Sequence, residues 1–290
     1  MFTTVAPRLA ADRTGLLREL PVRPAASAAR TFRGNGPIED DGLDRYLADM
    51  VGAYGRSYDP EFLAKAQVTS YTTMASTVVA ELTPGVDTLR RIVLAFATPD
   101  IDSRASAGCY LVEAAPGRPT VFCVSDQGVT APFTALRLAA DHLRDAAADA
   151  RTALVVLDQR NLPWEVDATE RVPTEDVAVA YAFRPTAPGE TGVLLGQRTE
   201  VDPAAAAALL VDVLDEISAR DGRPFALVAG YDVPVTAEVA LRAERVHRVG
   251  RGTLCTGIWT TARQLTGRTV LAEYDPVLRY LTVLAWDPTW

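Results

Sequence analysis

Several stretches of this chain are almost continuously apolar, and that constrains its fold more than anything else in the sequence. Residues 92–97 read IVLAFA, 152–159 TALVVLDQ, 177–183 VAVAYAF and 277–286 VLRYLTVLAW. A strand with one wet face alternates apolar with polar residues; a strand covered on both faces has no reason to. Helical patterns lie between these runs. Leu43, Tyr46, Leu47, Met50 and Val51 recur at helical spacing, and residues 72–82 form a small-residue helix that stops at Thr83-Pro84-Gly85. Apolar strands alternating with helices predict an α/β protein with largely buried sheets.

The cycle runs twice. Helix, apolar strand, turn, buried helix and two closing strands occur before residue 185 and again after it. The Pro- and Gly-rich segment 185–192 (PTAPGETG) divides the two passes. The expected division is an N-terminal half over 1–185 and a C-terminal half over 186–290. The second half contributes a strand VLLGQRTE, a helix over 202–222 with Asp202 as N-cap and Pro203 at its first position, and a strand over 225–232. A short helix around 236–244, a Gly-rich turn into a further helix, and two final strands complete it. Residues 1–35 show no clear period.

Composition excludes some functions. Of 290 residues, 48% are hydrophobic, and the net charge is −8. An acidic chain without a basic face does not suit nucleic acid. The three cysteines, Cys109, Cys123 and Cys255, are too few and too scattered for a disulfide framework or a zinc site, and Cys123 and Cys255 read as small core residues. No metal is expected. The N-terminus lacks a signal-type apolar region, and no run approaches the length of a membrane span. A cytoplasmic protein is expected.

The most informative segment is VFCVSDQGVTAPFTALRLA, residues 121–139. Strand residues 121–125 pass through a tight polar turn into a helix expected to run from about 132 to 149. Such elbows present nucleophiles, because the helix N-terminus stabilises negative charge.

Together, RRIVLAFATPDID, this elbow, TALVVLDQ, TEDVAVAYAF, GRGTLCTGIWTTARQL and GRTVLAEYDPVLRYLTVLAW resemble, in order, the thiolase-fold ketosynthases of the beta-ketoacyl carrier-protein synthase III group. The resemblance covers roughly residues 85–290. It implies a five-layered αβαβα fold of two similar halves, usually dimeric. It also implies chemistry on acyl thioesters delivered by coenzyme A or by the phosphopantetheine of an acyl carrier protein, as substrates rather than resident cofactors. The family's catalytic Cys, His and Asn do not carry over. The Cys position falls on Gly128, Val129 or Thr130. The His turn reads Gly230-Tyr231-Asp232-Val233, and the Gly-Asn-Thr turn reads Gly250-Arg251-Gly252-Thr253.

No catalytic residue stands out, but some candidates remain. A Gln near the elbow resembles the residue that replaces Cys in decarboxylating or chain-length subunits, which gives Gln127 a role; the plainer reading is a turn residue. Thr130 is a hydroxyl nucleophile or, more simply, the helix N-cap. Asp126 pairs with Ser125 in a pocket or merely shapes the turn. Cys255 lies where a helix start would favour a thiolate. Arg248 and Arg251 suit a coenzyme A or phosphopantetheine phosphate. The resulting expectation is a non-catalytic or altered ketosynthase III-like subunit. It would pair with a catalytically complete paralogue as a heterodimer, or with itself, with the helix from 132 and the apolar strands forming the interface. The alternative is a standalone acyltransferase or condensing enzyme with a non-standard site.

Overall fold

The computed structural model describes residues 15–82, 89–144, 146–164, 166 and 170–287. The elements run β1 (Arg18–Leu20), β2 (Val22–Phe32), α1 (Asp41–Ala53), α2 (Phe62–Lys65), α3 (Tyr71–Leu82), β3 (Arg91–Phe96), α4 (Ala107–Ala114), β4 (Thr120–Val124), α5 (Ala131–Leu143), β5 (Thr152–Asp158) and β6 (Asp176–Pro185). There follow β7 (Val193–Arg198), α6 (Pro203–Asp221), β8 (Ala226–Ala229), α7 (Ala237–Ala240), β9 (Arg245–Arg248), α8 (Thr256–Ala262), β10 (Thr269–Asp275) and β11 (Tyr280–Trp286).

The strands form two sheets, ordered β2-β6-β5-β3-β4 and β1-β7-β11-β10-β8-β9. With β1 set aside, the two orders are the same. Matching β2 to β7, β3 to β8, β4 to β9, β5 to β10 and β6 to β11 gives one strand order and one pattern of parallel and antiparallel pairs. The chain is a structural duplication, with residues 186–192 joining the copies.

Side-chain alternation along the strands builds five layers. In β5, Leu154 and Val156 face the space between the sheets, while Ala153, Val155 and Leu157 face outward. Helices α3 and α4 cover that outer face, α6 and α7 cover the outer face of the other sheet, and α5 and α8 fill the middle. Both faces of these strands are buried, which accounts for their continuous apolar reading. The middle layer is anchored by Phe133, Tyr181, Trp259 and Trp286. Tyr181 packs 5.8 Å from Trp259 and 5.2 Å from Trp286, ring centre to ring centre, and its hydroxyl donates to the Trp259 carbonyl at 2.6 Å.

Several sequence expectations need correction. The unreadable N-terminal region carries β1 and β2, one extended ribbon that adds a strand to each sheet; its residues 1–14 lie outside the described residues, as does the Thr83-Pro84-Gly85 stop signal. Helix α5 ends at Leu143, not at 149. Leu143 is its last buried residue; beyond it Ala147 and Ala148 are exposed, and Ala146 and Ala150 reach the core from outside the helix. The helix near 236–244 is a single turn followed by a strand. Asp202 stands at the N-cap of α6 with Pro203 at its first position, as expected, but its side chain accepts from Arg279 at 2.6 Å instead of from the helix N–H groups. Cys123 is exposed on the edge strand β4, whereas Cys255 is buried as expected. Helix α5 spends its apolar face inside its own chain, so it is core rather than interface. Among the described residues, no helix is long and apolar enough to cross a membrane.

Candidate functional site

The elbow has the expected shape. After β4 the backbone turns through Asp126, with a φ of 60°, and Gly128, with a φ of 52°. A single 3-10 turn, residues 128–130, then leads into α5. What meets this turn comes from the other repeat. Asp275, the last residue of β10, places its Oδ2 3.4 Å from the Val129 N–H. A Cβ added at Gly128 would overlap that same oxygen. A side chain at position 128 would have to displace the Asp275 carboxylate and would be strained by the positive φ.

The two second-half turns converge on the same place, and charged groups fill the space between them. Glu273 lies two residues before Asp275 and is 1% exposed. Its carboxylate occupies the volume that a side chain at Gly230 would need. Neither Glu273 oxygen has a hydrogen-bond partner; the nearest cation is Arg171, whose Nη1 is 3.6 Å away. Burial raises the Glu273 pKa to about 8, against the pull of Arg171. Arg171 comes from the β5–β6 connection and ties the turns together. Its Nη1 donates to Asp232 at 3.1 Å and its Nε to the Thr253 carbonyl at 3.0 Å, while its face covers Tyr231.

Cys255 lies at the centre of this arrangement. Its thiol donates to the Gly128 carbonyl at 3.7 Å. Burial pushes the thiol pKa well up, and Asp158 and Glu273 add to the effect. The helix-start position that would favour a thiolate is overridden, because Asp158 already takes that helix's N–H groups. Asp158 accepts from the Leu254, Cys255 and Thr256 amides at 2.9–3.0 Å and from the Thr256 hydroxyl at 2.6 Å.

The remaining candidates divide. Thr130 is 2% exposed, and its hydroxyl donates to the Gln127 carbonyl at 2.8 Å; it stands at the N-cap position but does not cap α5 with its side chain. Gln127 accepts from Thr134 at 2.6 Å, the start of a polar chain through Gln197 to Arg137. Ser125 donates to Asp126 at 2.9 Å in the exposed turn. His142 is held by the Leu138 carbonyl and stacks on Phe122, three helical turns from Thr130. His247, on β9, is part-buried. Arg248 is exposed on β9, and Arg251 donates to the Glu170 carbonyl at 2.9 Å, so neither joins the cluster. Sequence reasoning missed Glu273, Arg171 and Asp158. The signal available for the two acids was a carboxylate inside or ending an otherwise apolar strand.

A fold built of two copies of one strand order around a pair of central helices decides the architecture. The chain has the fold of thiolase-type condensing enzymes. The tetronic acid condensing enzyme AbyA1 superposes with a TM-score of 0.59 at 14% identity, covering 92% of this chain and 100% of that one. The 3-oxoacyl-(acyl carrier protein) synthase III FabH of Pseudomonas aeruginosa PAO1 gives 0.58 at 15%, covering 94% and 100%. OleA of Xanthomonas campestris gives 0.57 at 12%, covering 92% and 98%. No protein-family model matches the chain, and no curated protein matches it. At these identities the likeness extends to the fold.

Proposed function

We propose that this chain is a non-catalytic or altered ketosynthase III-like subunit that acts on acyl thioesters only through a catalytically complete partner. One observation carries the reading: the tip of the elbow is Gly128, and the Asp275 carboxylate fills the space a nucleophile's side chain would occupy. The other two turns support it. Glu273 and Arg171 stand around the turn of residues 230–233, which in the resemblance bears the His, and Arg251 stands in place of Asn. A single lost residue can be replaced by a neighbour; two turns whose space is taken by buried carboxylates, with the third position also changed, argue against the usual condensation. The partner is a complete ketosynthase, or an acyl carrier protein delivering substrate to one. Co-expression with candidate ketosynthase paralogues should yield a stable complex whose condensing activity exceeds that of the paralogue alone. A homodimer that turns over acyl thioesters unaided would contradict the reading.

A second reading, a standalone acyltransferase with a non-standard site, is favoured by one feature: Glu273 is a buried carboxyl whose pKa lies near neutrality, as a general acid or base requires. Under that reading Thr130 or Cys255 would carry an acyl group, and Thr130→Ala or Cys255→Ala would abolish it.

A further inference from the structure

Strands β5 and β10 hold the same place in the two repeats, and their sequences align residue for residue. β5 reads TALVVLD and β10 reads TVLAEYD; each opens on a buried threonine and ends on an aspartate. Asp158 and Asp275 are thus equivalent positions of the duplication. Asp158 crosses to the other repeat and takes three backbone N–H groups at the start of α8. Asp275 crosses in the opposite sense and faces Val129, at the start of α5. Its other oxygen, Oδ1, is held by the Val277 and Leu278 amides, which fixes the carboxylate in that direction. Gly128 leaves the room that the carboxylate fills.

We infer that the turn of residues 128–130 is a carboxylate-binding site, occupied in this chain by its own Asp275. The donor is the Val129 N–H, and the walls are the Gly128 backbone and the Leu278 side chain. The hairpin between β10 and β11 is then an internal plug for the elbow. This deepens the proposed reading of an elbow without a nucleophile, but it concerns the isolated chain. Its failure would leave pairing with a ketosynthase untouched, and failure of pairing would leave it standing.

The test is chemical rescue. Asp275→Gly removes the carboxylate and opens a space of its size. Its thermal midpoint should fall by several degrees. Sodium acetate should recover about half of that loss, whereas sodium chloride at equal ionic strength should not. The unsubstituted protein should respond alike to both salts. In Asp275→Gly combined with Gly128→Ala, the added methyl group occupies the cradle, and the acetate effect should vanish. Equal responses of Asp275→Gly to acetate and chloride would overturn the site and leave Asp275 as a cap on its own hairpin. Asp275→Asn keeps the shape and serves if the glycine variant does not fold. There the Val129 amide should exchange its hydrogen faster than in the parent while core strand amides hold, and unchanged Val129 exchange would overturn the inference.

Discussion

Glu273 is a carboxyl group removed from water with one loosely placed cation for company. Its folded pKa of about 8 lies above the ordinary 4.5, because burial disfavours the charged form. The folded protein keeps a proton that the unfolded chain releases. Its contribution to stability is therefore complete below about pH 4.5 and is lost as the pH rises through about 8. Asp100, raised by burial to about 7, acts in the same direction. Urea unfolding from pH 5 to pH 9 should show stability declining across that range. Glu273→Gln should flatten the decline, most visibly between about pH 5 and pH 8. The same slope in the variant would mean that Glu273 does not hold the proton.

The central helices are held at their starts by acids from the opposite repeat. Asp158→Ala would leave three buried N–H groups at the start of α8 without an acceptor. It should cost about 3 kcal/mol in chemical denaturation, with hydrogen exchange accelerated first at Leu254, Cys255 and Thr256. A loss under about 0.5 kcal/mol, the range of an ordinary surface change, would contradict that role. At this scale the sequence was only partly legible. Buried strands such as β5 and β6 were plain, since both faces are apolar. β2 was not, because its Arg, Pro and Ala residues suit a sheet edge and carry no period. The elbow was legible as strand, turn and helix. Its occupant was not, since Asp275 lies 147 positions from Gly128 in sequence and only the fold brings them together.

At the scale of the molecule, the duplication visible as a repeated cycle proves to be a shared strand order, extended by β1 on one sheet. The segment carrying β1 and β2 binds both halves, β1 pairing with β7 and β2 with β6, and it also holds the connection between them: the Gly192 amide donates to Glu19 at 2.7 Å and the Thr186 amide to the Pro21 carbonyl at 3.1 Å. The condensing-enzyme fold is intact, while the point where its two central helices meet is packed with Asp275, Glu273, Arg171 and a protonated Cys255 thiol. Intact-protein mass spectrometry of the purified chain after incubation with acetyl-coenzyme A and longer acyl-coenzyme A thioesters tests this account most directly. The account predicts the unmodified mass at every chain length; an added acyl mass that disappears in Thr130→Ala or Cys255→Ala would contradict it.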